Sequence, residues 1–220
     1  MAEKSQGLSN KRIVIVFKYL HPNCMIKKVV VIGPESTGKS SLCELLAQHY
    51  GMQWCPEFAR EYLVTNGKDY TYDDLLTIAK GQLAMEDEYA ALVKSQWSLA
   101  NERTWVNQHE LTSTTHTPLL FVDTDMYVIK VWGEYVFGKC HQFVLDQIVS
   151  REYDLYLLCK TDLPWVKDEL REYPDTKSRT ELYQIYKDLL INQNTPWVEI
   201  SGDYEERLIT AIDAIEEYLH

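Results

Sequence analysis

The chain has no CxxC pair, and its five cysteines (Cys24, Cys43, Cys55, Cys140 and Cys159) are odd in number and widely spaced. That argues against a disulfide-stapled secreted scaffold and against a cysteine-pair zinc site, and it points to a reduced, cytoplasmic protein. Basic charge is also short. Lys and Arg number 22 against 33 Asp and Glu, for a net charge of −11. Proteins that coat nucleic acid neutralise its backbone with clustered cations, so nucleic acid is not an expected partner. No long apolar run is present near the start: IVIVFKYL (13–20) is far too short to span a bilayer and no small-residue cleavage site follows it. A membrane partner and a secretory signal are therefore not expected. HExxH and His/Cys clusters are missing, which gives no indication of a protein-held transition metal. Repeats and low-complexity tracts are missing too.

What remains is the composition of an ordinary folded domain. Of 220 residues, 45% are hydrophobic and 25% charged, enough to bury a core in one α/β domain. The opening MAEKSQGLSNKR is polar and turn-rich, whereas MIKKVVVIG from Met25 reads as the start of a domain. Residues 1–24 are read as a flexible extension, with an edge strand at 12–18 as the alternative, and 25–220 as the domain. Lys28–Ile32 is a short β-branched run of the kind buried in parallel sheets. A helix is expected over 39–50, with Leu42, Leu45, Leu46 and Tyr50 on one face. Further strands are expected at 52–55, 118–125, 154–159 and 196–201. Helical pattern covers 57–66 and 73–108, the latter with a possible break near Gly81 or Ser95, and 107–117 reads as a polar loop. In 202–219, Asp203 and Glu206 have capping-box spacing. Strands alternating with helices predict a doubly wound parallel sheet.

The strand at 28–32 runs straight into Gly33-Pro-Glu-Ser-Thr-Gly38-Lys39-Ser40, the pattern GxxxxGK[ST] in its proper strand-to-helix setting. Gly33 and Gly38 permit a curl that turns backbone N–H groups inward, and the following helix N-terminus adds positive potential. Lys39 is placed to reach outer phosphates and Ser40 to put a hydroxyl on Mg²⁺. The loop Gly33, Pro34, Glu35, Ser36, Thr37, Gly38, Lys39, Ser40 and Ser41 is thus built for nucleotide phosphates, with Pro34 and Glu35 read as spacers whose backbone alone contributes.

Three further stretches bear on what happens to that nucleotide. Asp123 and Asp125 end the apolar run LLFV, at the strand edge where ligands bind in open α/β sheets. Either can hold Mg²⁺ or accept a proton, Asp123 being the candidate metal carboxylate; the structural alternative is that one caps the next helix. In PEFAREYL, Glu57, Arg60 and Glu61 share a helix face. Glu57 is a candidate base or sugar grip and Arg60 a candidate phosphate contact, with a surface ion pair as the alternative. The segment 160–179, KTDLPWVKDELREYPDTKSR, is charged and punctuated by Pro164 and Pro174, and reads as a mobile lid. It carries Arg171 and Arg179, candidate phosphate clamps, unless it is an ordinary exposed hairpin. Tyr62, Tyr127 and Trp132 lie near these stretches and are candidates for stacking on a flat base.

Together, VIGPESTGKSSLCELLAQHYG, EFAREYL, FVDTD and PWVKDELR resemble the ribosylnicotinamide kinase domain of NadR-like proteins, from about Met25 to the C-terminus. The phosphate loop is common to many NTPases; its combination with the other three is far more specific. The resemblance implies a three-layer P-loop kinase fold with a mostly parallel sheet and a lid near 160–180. It implies transfer of a phosphoryl group from ATP, with Mg²⁺, to the 5′-hydroxyl of nicotinamide riboside. It places 33–41 on the ATP phosphates and Asp123 and Asp125 near the riboside. Two departures stand out. No HxGH-type nucleotidyltransferase signature is present, so a free-standing kinase is expected. Pro56 stands where an aromatic residue is expected in the family, which bears on the acceptor's base. Phosphorylation of another nucleoside, and an ATP-binding switch without an acceptor, are the competing functions.

Overall fold

Five parallel strands and the helices packed on their two faces make up the architecture in the computed structural model, which describes residues 25–106 and 117–220. The readings of 1–24 and of an edge strand at 12–18 lie outside the described residues, as does the loop 107–117 apart from its last residue.

The strands are β1 (Lys27–Ile32), β2 (Trp54–Cys55), β3 (Leu119–Asp123), β4 (Leu155–Cys159) and β5 (Trp197–Ile200), in the order β2-β3-β1-β4-β5. β1 is central. Val29, Val30, Val31 and Ile32 are wholly buried, which is why this strand is a continuous apolar run with no alternation. Val29 and Val31 face α1 (Lys39–Tyr50) and α7 (Tyr204–Leu219). Val30 and Ile32 face the opposite layer, which includes α3 (Tyr72–Val106), α4 (Met126–Phe137) and α6 (Thr176–Ile191). Each buried Val or Ile contributes about 1.5–3 kcal/mol, so the strand that feeds the glycine loop is firmly held in the sheet. α2 (Phe58–Asn66) and α5 (Gln142–Ser150) complete the seven helices found among the described residues. Ala59, Leu75, Ile78 and Met126 are part of a smaller core that joins α2, α3, α4 and α5.

Several elements depart from what the sequence pattern predicts. α1 buries Leu42, Cys43, Leu46 and Ala47, and leaves Leu45 and Tyr50 only half-buried. Small residues turn inward because the helix lies close to both the sheet and α7. β2 is shorter than its apolar run. α3 is unbroken over 35 residues. Gly81 does not end it; the absent side chain leaves room for the Phe58 ring, which fills the place a Cβ would occupy. α7 begins as its spacing predicts, with a complete capping box between Asp203 and Glu206.

A buried ionic knot fastens α3 to the sheet. Glu86 has no solvent exposure; its Oε1 accepts from Lys28 Nζ at 2.7 Å and from Arg151 at 3.1 Å, and its Oε2 accepts from the Tyr153 hydroxyl at 2.9 Å. Removing the carboxylate leaves two largely buried cations without it. Glu86→Ala is therefore expected to lower unfolding stability by about 3–5 kcal/mol in urea denaturation, and a loss below about 1 kcal/mol would mean that the knot relaxes freely into solvent.

Candidate functional site

Because β1 and β3 are adjacent and parallel, with Val31 paired to Asp123, their carboxyl ends set the phosphate loop beside a carboxylate. Gly33 has φ +143°, and a Cβ there would stand 2.7 Å from the Cys159 carbonyl oxygen. Gly38 has φ +78° and forms the N-cap of α1. Both conformations disfavour side chains, which accounts for the two glycines of the motif. Thr37 Oγ1 donates to the Pro34 carbonyl at 2.7 Å and closes the turn, and Lys39 Nζ donates to the same oxygen at 3.0 Å.

Ser40 Oγ donates to Asp123 Oδ2 at 2.5 Å, while Asp123 Oδ1 is buried without a partner among the described residues. Burial raises the Asp123 pKa, opposed by Lys39 and by the bond from Ser40. Glu57, the N-cap residue of α2, is raised for the same first reason and by the nearby Asp123, with Lys39 and Arg60 opposing. Gln82 of α3 fixes the backbone around Glu57: its Oε1 accepts from Phe58 N at 2.7 Å and its Nε2 donates to the Pro56 carbonyl at 3.3 Å.

These groups line one cavity of about 490 Å³. It contains the whole loop from Gly33 to Ser41 together with Glu57, Arg60, Asp123, Trp132 and Arg171. The structure thus brings together most of the residues singled out from sequence. Four are placed elsewhere. Asp125 is buried as the N-cap of α4; its Oδ1 accepts from Tyr127 N at 3.0 Å and its Oδ2 from the Tyr156 hydroxyl at 2.8 Å. In an extended strand Asp123 and Asp125 would face the same way. Thr124 has φ +78° and breaks that alternation, so only Asp123 reaches the cavity. Tyr62 donates to Asp74 at 2.5 Å, and Tyr127 packs against Tyr156, so neither ring lines the cavity. Arg179 lies behind the loop, donating to the carbonyls of Ser36 at 3.2 Å and Leu163 at 3.3 Å.

The aromatic wall is supplied chiefly by residues that the motifs did not mark. α4 presents Val128, Val131, Trp132 and Tyr135 to the cavity, at helical spacing. Tyr127 is one position off that stripe, which is why it turns away. Trp54 at the start of β2, and Leu182 and Tyr186 one turn apart on α6, join them. A helix prediction over 126–137 carries the signal that finds this wall.

The segment 160–175 crosses the cavity and contributes Leu163, Pro164, Val166, Asp168, Arg171 and Tyr173 to its lining. It is tied to the phosphate loop and to α2. Val166 N donates to Ser36 Oγ at 2.9 Å, and Arg60 pairs with Asp168 at 2.7 Å. The Glu35 carboxylate accepts from Glu172 N at 3.0 Å and also from Tyr173 N. Glu35 is therefore no spacer; its side chain fastens the overlying segment. Arg171 donates to the Val166 carbonyl at 2.5 Å, within its own segment.

The strand order, with a glycine loop after the central strand, puts the chain among the P-loop α/β proteins. Residues 28–207 match the family described as AAA domain, and the chain belongs to that family. It is homologous to the trifunctional NAD biosynthesis/regulator protein NadR of Escherichia coli (strain K12) and of Salmonella typhimurium, at 25% identity over 199 residues in each case. The alignments cover 88% of this chain and 43% of each relative, so the chain spans less than half their length. The resemblance read from the motifs is thus borne out. Among solved structures, a NadR protein in complex with NR has a TM-score of 0.64 at 22% identity, over 96% of this chain and 58% of that one. A NadR protein in complex with NAD and AMP-PNP gives 0.59 at 24%, over 88% and 50%. Thymidylate kinase from Ehrlichia chaffeensis gives 0.54 at 12%, over 86% and 98%. These likenesses bear out the three-layer P-loop fold. No helix among the described residues is long and apolar enough to cross a membrane.

The placement of Asp125 has a measurable consequence. Burial pushes its carboxyl up to about 7, whereas an unfolded Asp titrates near ~3.9. The fold therefore favours the protonated form. That stabilisation is complete below about pH 4 and is lost as pH rises through about 7. Relative to Asp125→Asn, the wild type is expected to lose on the order of 2–4 kcal/mol of unfolding stability between about pH 4 and pH 8. Parallel pH dependences in the two proteins would show that Asp125 remains ionised in its cap.

Proposed function

We propose that the chain is an ATP-dependent phosphotransferase acting on the 5′-hydroxyl of a nucleoside, with nicotinamide riboside as acceptor and nicotinamide mononucleotide as product. The observation that carries this reading is the pairing of two carboxylates, the half-buried Glu57 and the buried Asp123, with the phosphate loop and Lys39 around one cavity. A protein that only binds and releases nucleotide needs the loop; it has no use for a second carboxylate and an aromatic chamber beside it.

The residues divide the work. The 33–41 loop holds the nucleotide phosphates through its backbone N–H groups. Lys39 leaves the Pro34 carbonyl to meet the outer phosphates and neutralises charge on the migrating group. Glu57 accepts the proton of the acceptor hydroxyl; burial and the nearby Asp123 raise its pKa toward the range in which a general base works best. Asp123 and Ser40 offer oxygen ligands, and the unpartnered Asp123 Oδ1 fits a hard cation that takes its remaining ligands from phosphate and water. Mg²⁺ held there would offset phosphate charge. Arg171, and Arg60 once released from Asp168, lie at the cavity to meet the same charge. The 160–175 segment acts as the lid, limiting the water that competes with the acceptor.

Two observations favour a pyridinium acceptor over a neutral base. Trp54, Trp132, Tyr135 and Tyr186 supply aromatic faces, and Glu35, Glu57 and Asp123 line the same cavity. A flat cationic ring gains from both. The homology to NadR and the complex of a NadR protein with NR point the same way.

The test is ADP formation measured with nicotinamide riboside and with a panel of nucleosides. Turnover that depends on nicotinamide riboside is expected. Dependence on another nucleoside alone would keep the chemistry and change the acceptor, and ATP binding without acceptor dependence would overturn the kinase reading. Lys39→Ala should lower kcat by at least about a hundred-fold with the fold retained. Glu57→Gln should lower kcat and remove the acid limb of the pH–rate profile, an effect that Asp123→Asn would not reproduce if Asp123 serves the cation. Unchanged limbs in Glu57→Gln would remove Glu57 from the base role.

A further inference from the structure

Two arginines behind the phosphate loop hold consecutive carbonyls of its backbone. Arg207 of α7 has only 1% exposure. Its Nη1 donates to the Thr37 carbonyl at 3.0 Å and its Nε to the Gly202 carbonyl at 2.8 Å. Its Nη2 donates to the Lys160 carbonyl at 3.2 Å and to Asp162. One guanidinium thus ties the loop to the segments that leave β4 and β5. Arg179 of α6, 5% exposed, donates to the neighbouring Ser36 carbonyl. Ser36 itself has φ +57°, a left-handed conformation that a serine keeps only under restraint. Arg179 at its carbonyl and Val166 N at its hydroxyl supply that restraint.

A trans peptide carries its C=O and N–H on opposite sides. Drawing the carbonyl of Ser36 outward turns Thr37 N–H the other way, and drawing the carbonyl of Thr37 outward does the same for Gly38 N–H. We propose that Arg207 and Arg179 are positioning residues that set the phosphate-binding face of the loop from behind by holding the Thr37 and Ser36 carbonyls. Arg179 then acts on the nucleotide through the Ser36–Thr37 peptide, without clamping phosphate itself. The inference rests on the loop binding nucleotide phosphates and is independent of which acceptor is phosphorylated.

The test replaces each arginine by lysine, which keeps the charge but moves the donor: Arg207 loses the planar fork whose three nitrogens serve three carbonyls, and Arg179 loses the Nη2 that bonds Ser36 and Leu163. Affinities for ATP and AMP are measured by calorimetry, with thermal melting as the check on folding. A general structural lesion weakens both ligands alike. Loss of the inward N–H groups weakens the ligand with the longer phosphate chain. The ATP-over-AMP affinity ratio is expected to fall about ten-fold or more in Arg207→Lys and in Arg179→Lys. A folded variant with the wild-type ratio overturns the role of that arginine. If Arg207→Lys does not fold, Arg179→Lys, which alters the other carbonyl, decides the proposal. A wild-type chain that does not prefer ATP to AMP overturns this inference together with the nucleotide reading. A normal ratio shift without acceptor turnover strikes the kinase proposal alone.

Discussion

A loop of peptide N–H groups turned toward one point needs its carbonyls turned away and satisfied elsewhere, because buried backbone acceptors without partners are costly. In this chain the 33–41 loop meets that requirement from several directions. Thr37 and Lys39 reach the Pro34 carbonyl, Arg179 takes the Ser36 carbonyl, and Arg207 takes the Thr37 carbonyl. The buried Val29–Ile32 run of β1 anchors one end and the N-terminus of α1 the other. The remaining features of the carboxyl edge are arranged around this constraint. Asp123 meets Ser40 because β3 neighbours β1, and Arg207 in the first turn of α7 reaches the Thr37 carbonyl.

The same loop governs the segment above it. Glu35 and Ser36 are loop residues, yet their side chains accept backbone N–H groups from Val166, Glu172 and Tyr173. A change in the loop is therefore felt directly by 160–175. Arg60 adds a contact from α2 through Asp168, in an exposed ion pair that solvent weakens. The segment is thus held to the loop by backbone hydrogen bonds at Ser36 and Glu35 and to α2 by a single surface pair.

Much of the fold was legible in the sequence because its strands are continuous apolar runs and its glycine motif sits between strand and helix. Runs such as VVVI, LLFVD and LYLLC leave little choice but a sheet covered on both faces. Helices α4, α5 and α6 are harder to read, since no motif marks them. The site divides along the same line. Lys39, Ser40, Glu57 and Asp123 belong to motifs whose spacing reflects chemistry. Trp54, Tyr135 and Tyr186 are brought in by tertiary packing, and Gln82 and Arg207 act through backbone groups distant in sequence. The case of Asp125 is instructive. Strand alternation places it beside Asp123, and a single left-handed residue, Thr124, sends it under α4 to Tyr156 instead. Glu35 shows the converse: a position that looks like spacing in the motif proves to be a fastener once residues 172 and 173 are seen above it.

Nucleotide binding at the 33–41 loop depends on its inward-facing amides. Amide proton and nitrogen resonances of the ¹⁵N-labelled chain, followed as ATP, inorganic tripolyphosphate and adenosine are added, report on them residue by residue. The largest shifts are expected at Thr37, Gly38 and Lys39, caused by ATP and tripolyphosphate and not by adenosine. Shifts confined to other parts of the chain, with the 33–41 amides unmoved by either polyphosphate, would contradict the account.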